Sequence, residues 1–291
     1  MTALLHSLHN DYLSVSISNQ GAELQSIKDA QEQEYLWQAD PQFWARKAPV
    51  LFPIVGALKN DSYRFDDQEY ALSQHGFARD NVFELIEATD TEAVYRLTDD
   101  KYTRELYPFE FVLDVIYRLE QQTLVVEYRV SNPSDKVLWF SIGGHPAFSL
   151  NWQKGSALSD YYLEFEHAES VQAALIEQGC LSEPSINAFV DGNLIPLSDQ
   201  LFDRDALIFT EHSSRQVTLK HKTLEKSLSV RFEGFPHLGI WSKPNAPFVC
   251  IEPWQGHVDT QDHNQEFTEK AGIIALKPHQ NYHASYSIRI D

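Results

Sequence analysis

The sequence predicts an all-β protein, a large antiparallel sandwich or barrel with few short helices. Three observations carry that expectation: apolar residues alternate with polar ones from end to end, the connections are short and rich in turn formers, and helical periodicity is scarce. The alternation starts at Leu13, Val15 and Ile17, with serines between them. It returns at Phe109, Phe111, Leu113, Val115, Tyr117 and Leu119, then at Leu124, Val126, Tyr128 and Val130. Further strands are expected around Tyr161, Leu163 and Phe165, around Leu228, Val230 and Phe232, and around Tyr286, Ile288 and Ile290. A period of two places each set on one face of a half-buried strand.

Turn signals separate these runs at Asn19 to Gly21, Asn132 to Asp135, Asp191 to Asn193 and Lys243 to Pro247, as antiparallel hairpins require. Helix is expected only over Ser170 to Gln178, for two or three turns, and over Asp100 to Leu106, for one turn before Pro108. That is too little for βαβ units. No linker, charge block or internal repeat divides the chain, so residues 1–291 are expected to form one domain.

Composition narrows the function. A 291-residue chain with 43% hydrophobic and 22% charged residues has ample material for a packed core. Its formal charge of −19 repels phosphate backbones and anionic lipid, so neither nucleic acid nor a membrane surface is an expected partner. The cysteines Cys180 and Cys250 are far apart, which suggests neither a disulfide framework nor a thiolate zinc site; Cys250 reads as a core thiol. The first residues lack the basic and apolar regions of a secretory signal, and Val137 to Gln153 is too polar and too short to span a bilayer. A cytoplasmic protein is expected.

Motifs for nucleotide cradles, dinucleotide folds, elbow serines and zincin helices are missing, as is an H-x-H pair. Three segments break the strand pattern instead. Gln74-His75-Gly76-Phe77-Ala78-Arg79 places an imidazole and a guanidinium around a glycine. Ile142-Gly143-Gly144-His145-Pro146-Ala147-Phe148 sets a histidine where two glycines permit close backbone approach and a proline fixes the chain after it. Val249-Cys250-Ile251-Glu252-Pro253-Trp254 ends a strand in a carboxylate with no adjacent Lys or Arg.

Each has a bland reading. Most of 12 histidines are surface or structural residues, and a His-Gly turn needs no function. Glu252 is either a strand-end carboxylate facing water or a desolvated base whose pKa is raised into a useful range. Trp254 is either a core aromatic or an indole held against the apolar face of a sugar.

Taken in chain order, these segments resemble the aldose 1-epimerase (galactose mutarotase-like) superfamily, and within it the LacX-type branch, over essentially the whole chain. The resemblance also rests on Asn19-Gln20-Gly21-Ala22-Glu23-Leu24, on Pro49-Val50-Leu51-Phe52-Pro53-Ile54-Val55-Gly56 and on Asp205-Ala206-Leu207-Ile208-Phe209. It implies a large antiparallel β-supersandwich with a cleft on a concave sheet, and interconversion of the α and β anomers of a free hexose by ring opening and closure. It implies no cofactor and no metal step. By matching position, Glu252 would be the general base, His145 the general acid at the ring oxygen, and His75 a second donor to that oxygen. Arg79 would border the cleft and contact sugar hydroxyls or a phosphate, Asp205 would accept from sugar hydroxyls, and Arg46 would be the second binding arginine.

The expected partner is therefore a small sugar, a hexose or hexose phosphate, bound by a monomer or homodimer. A non-catalytic carbohydrate-binding or sensing protein on the same scaffold and a hexose-6-phosphate mutarotase are the alternatives. The Gly144-His145-Pro146 form differs from the His-Thr form of the hexose-6-phosphate branch, and Arg46 stands one residue closer to Pro49 than in that branch.

Overall fold

In the computed structural model, which describes residues 4–291, the alternating runs become an extended antiparallel sheet. Its nine strands lie in the order Leu194–Pro196, Tyr161–Phe165, Gln216–His221, Ser227–Arg231, Asn281–Ile290, Thr123–Ser131, Val112–Glu120, Glu92–Thr98 and Glu84–Ala88. Thr123–Ser131 lies inside the sheet, with Val126 in register with Tyr117 on one side and Tyr286 on the other. Leu124, Val126, Tyr128 and Val130 are buried while the residues between them are half-buried, so the period of two reports a true inner face. Each such side chain contributes about 1.5–3 kcal/mol by leaving water.

A second sheet runs Leu207–Phe209, His237–Trp241, Phe248–Gln255, Ile142–Gly144, Val50–Leu51, and Ala147–Ser149 also pairs with its Phe248–Gln255 strand. One buried cluster joins Val249 and Ile251 of this sheet to Leu124, Val126 and Ile288 of the first, so the two sheets share a core. On the other face of Phe248–Gln255, Phe248 and Cys250 pack with Trp37 and Ala147, and Trp254 packs with Leu51 and Ile208. Cover on both faces explains why Phe248 to Ile251 reads as a continuous apolar run rather than an alternating one.

The single α-helix among the described residues, Lys101–Leu106, lies where helix was expected, and it is capped at Asp100. Asp100 accepts from the Thr103 amide at 2.8 Å, and Thr103 Oγ1 accepts from the Asp100 amide at 2.8 Å. Two expectations need correction. Ser170 to Gln178 is extended rather than helical: the Ala173 and Ala174 amides donate to Ile186 and Ile208, and Ile176–Glu177 turns back onto Cys180–Leu181 through Gln178 and Gly179. Both turn residues have positive φ, 54° and 79°, as a tight hairpin demands. The strand expected from Phe109 begins at Val112, because Phe109 and Phe111 instead pack with Tyr107 in an aromatic cluster at the strand entry. Both cysteines are free and buried. Among the described residues, no helix is long and apolar enough to cross a membrane.

Candidate active site

Phe248–Gln255 is the strand on which the site is built. Expected to end at Glu252, it continues through Pro253 and Trp254. The reason lies next to it: Ala147 pairs with Cys250 and Gly143 with Trp254 in one unbroken register, but the ladder is open between them, at Gly144-His145-Pro146. Pro146 and Pro253 have no N–H to give, so neither loses a ladder donor at this opening. The common register puts His145 directly across from Glu252. Cross-strand partners share a face, and His145 Nε2 stands 3.1 Å from Glu252 Oε2.

Glycines clear the space around that pair. Gly239 is the partner of Glu252 on the opposite side, so no side chain crowds the carboxylate there. A Cβ at Gly239 would lie 2.7 Å from Trp254 Cζ2, and one at Gly143 would lie 2.9 Å from Trp254 Cδ1. The indole therefore rests over two bare backbone positions. Trp254 is buried among apolar residues, as the core reading expects, and also lines the cavity.

His145 is enclosed by rings: Trp44 stacks on it at 4.8 Å, Trp241 meets it edge-on at 5.9 Å and His75 at 5.5 Å. Burial pushes its pKa down to about 3, and the charges of Arg79 and Arg46 act the same way. The carboxyl of Glu252 is 1% exposed and is pushed well above the ordinary carboxylate range, first by burial and then by Asp205, with Trp254 opposing. Burial thus disfavours charge on both members of the pair, the imidazolium of His145 and the carboxylate of Glu252.

His75 belongs to a strained loop. Its φ is +66°, and it is locked to Gly56 by two hydrogen bonds: its amide donates to the Gly56 carbonyl at 2.9 Å, and its Nδ1 accepts from the Gly56 amide at 3.1 Å. The ring is neutral, because burial and then His145 and Arg79 lower its pKa well below the usual value. With Nδ1 an acceptor, the proton sits on Nε2, and His75 is a fixed donor.

A cavity of about 800 Å³ opens over these residues, lined also by Trp44, Gln74, Arg79, Asp205 and Trp241. Arg79 Nη2 donates to the Gln74 carbonyl at 2.6 Å, leaving Nε buried without a partner. Asp205 accepts from the Ala206 amide at 2.8 Å through Oδ1. Arg46 is not among the lining residues: its Nη2 pairs with Asp80 at 2.7 Å, and the other oxygen of Asp80 lies 3.9 Å from Arg79 Nε. Trp44 and Trp241 were not picked out from the sequence, although an aromatic pair, Phe43-Trp44, beside Arg46 and a tryptophan before a Lys-Pro turn were visible signals.

The arrangement combines an apolar aromatic wall, a neutral donor, and a closely apposed carboxyl–imidazole pair, which suits acid–base chemistry on a polyhydroxylated ligand. Comparison with known proteins agrees. The model of the family described as aldose 1-epimerase matches residues 5–275. Protein LacX (chromosomal) of Lactococcus lactis subsp. lactis is 34% identical, covering 97% of this chain and 98% of its own. The galactose mutarotase related enzyme of Lactobacillus acidophilus superposes with a TM-score of 0.94 at 37% identity, over 99% of this chain and 97% of its own. A galactose mutarotase-like protein of Lactobacillus casei gives 0.92 at 30% identity, over 99% and 100%. The fold is thus galactose mutarotase-like, and with a family match running nearly end to end, the chain belongs to the aldose 1-epimerase family.

Proposed function

We propose that the protein is an aldose 1-epimerase that interconverts the α and β anomers of a free hexose. The observation that carries this reading is the cross-strand pair His145–Glu252, 3.1 Å apart beneath a sugar-sized cavity. In a cyclic aldose the two oxygens that exchange protons are bonded to the same carbon, so an acid and a base that are neighbours reach both at once.

The reaction starts from the pair carrying one proton, on His145. Glu252 removes the proton of the C1 hydroxyl while His145 donates to the ring oxygen, and the Nε2–H of His75 supports that oxygen. The C1–O5 bond breaks, O1 becomes the aldehyde oxygen, and O5 becomes a hydroxyl. Glu252 now carries the proton taken from O1, so the pair still holds one. Rotation about C1–C2 presents the other face of the aldehyde, and the reverse transfers close the ring. Each positioned transfer supplies about 10² to 10⁴ in rate.

The charge balance of the cavity favours an unphosphorylated sugar. The lining cations Arg79, Arg204 and Lys243 are matched by Glu177, Asp203 and Asp205, with Arg204 engaged by Glu177 at 2.6 Å, so the wall offers no concentrated positive field. Saturation transfer between anomeric protons across a panel of aldoses and aldose phosphates tests the reading. Acceleration with a free hexose is expected, lost in Glu252→Gln and in His145→Asn. Saturable sugar binding with exchange at the spontaneous rate would reassign the cavity to carbohydrate sensing.

A further inference from the structure

Alternation puts Cys250, two residues earlier on one strand, on the same face as Glu252, buried just beyond the cavity lining. Its sulfur, a ring nitrogen of His145 and a carboxylate oxygen of Glu252 all lie within 4.8 Å of one another, and all three residues are buried. His145 Nδ1 has no hydrogen-bond partner, and Glu252 Oε2 has none besides its 3.1 Å approach to His145 Nε2. Buried polar atoms in this state cost free energy until something pairs with them. A sugar would serve Glu252 and His145, but proton transfer to a sugar has no use for a thiol beneath them.

Thiolate, imidazole and carboxylate together are the donor set of a borderline divalent cation. Zinc bonds of about 2.0–2.3 Å bring tetrahedral ligands to about 3.3–3.7 Å from one another, within a small rotamer adjustment of the observed cluster. One thiolate and one carboxylate neutralise a dication, which lets the ion rest in a site from which water is largely excluded. A hard cation such as Mg²⁺ would find too few oxygens here.

We propose that His145, Cys250 and Glu252 form a Zn²⁺-type site in which the cation replaces the thiol and carboxyl protons, released to solvent, and occupies the acid–base pair. Inhibition of anomer exchange by Zn²⁺ rests on the mutarotase reading; binding of the ion does not. The probe is Co²⁺ added to the chelator-stripped full chain, followed by its thiolate-to-metal absorption in the near ultraviolet. One Co²⁺ per chain with that band is expected, displaced by an equivalent of Zn²⁺, lost in Cys250→Val and Cys250→Ser, and retained in Cys180→Ser. No band, or a band that survives both Cys250 substitutions in folded protein, overturns the site. Co²⁺ bound as described by a protein that accelerates no sugar's anomer exchange when metal-free supports the site and overturns the mutarotase reading alone. Exchange activity that equimolar Zn²⁺ leaves intact, while the Co²⁺ band forms and is displaced, overturns the claim that the ion occupies the acid–base pair.

Discussion

Gly239 and Trp254 compete for one volume. The indole fills the place where a side chain at 239 would stand, with Cζ2 2.7 Å from the position of a Cβ. Gly239→Ala must therefore push the indole or the strand aside, and overpacking of this kind costs about 1–3 kcal/mol. Because Trp254 also lines the cavity, sugar affinity should fall together with stability. Urea unfolding and sugar-binding calorimetry on the variant check both; an alanine accepted at no cost would mean that the indole is free to move.

His75 is held by Gly56 so that its ring can only donate through Nε2. Asparagine tolerates the positive φ of this position and retains an amide donor, whereas a β-branched residue does not tolerate it. His75→Asn should keep the melting temperature and lower kcat by about 10²-fold, the usual loss for a misplaced donor to a developing oxyanion. His75→Val should lose stability as well. Steady-state kinetics beside thermal melts separates the two, and full activity in His75→Asn would remove the residue from the reaction.

Much of this fold was legible because one face of each long strand is buried. Leu124 to Val130 and Tyr286 to Ile290 alternate in sequence as they alternate in space. Ser170 to Gln178 was not legible: its amides are satisfied by Ile186 and Ile208, partners that local periodicity cannot reveal. The same limit applies to the site. The sequence marked His145 and Glu252 as unusual, but their registration across the ladder depends on Ala147 meeting Cys250 and Gly143 meeting Trp254, a pairing between segments far apart in the chain. The rings around His145 come from Trp44 and Trp241, which no local pattern tied to it. Arg46 is paired with Asp80 and is not among the residues lining the cavity, a placement that no local pattern could give.

Arg79 and Arg46 should consequently behave differently. Arg79→Ala removes a cavity wall and an unpartnered buried Nε, so KM for the sugar should rise clearly, with kcat less affected. Arg46→Ala removes a half-exposed ion pair, a loss of about 0–1 kcal/mol in stability, and should leave KM nearly unchanged. A phosphorylated sugar whose KM rises more than that of the free sugar in Arg79→Ala would favour the phosphate-handling alternative. Paired kinetics on the two substrates provides the comparison.

Stability should also carry the signature of the site. In the unfolded chain His145 titrates near 6.5, but in the fold only near about 3, so acidification through that interval protonates the unfolded state and not the native one. Its contribution is fully present above about 6.5 and is lost as pH falls toward about 3; His75, also held well below 6.5, adds in the same direction. Glu252 has the opposite sign. Its carboxyl is raised well above 4.5, so its contribution is complete below 4.5 and is lost as pH rises through the native value. His145→Asn should therefore flatten the acid limb of the stability profile. Glu252→Gln, which keeps the shape and cannot ionise, should be more stable than the parent at neutral and alkaline pH. Urea midpoints taken from pH 4 to pH 9 on the parent and both variants check the signs. A Glu252→Gln protein destabilised at alkaline pH would show that the carboxylate is ionised and satisfied in the native site, contrary to the sign that its burial sets.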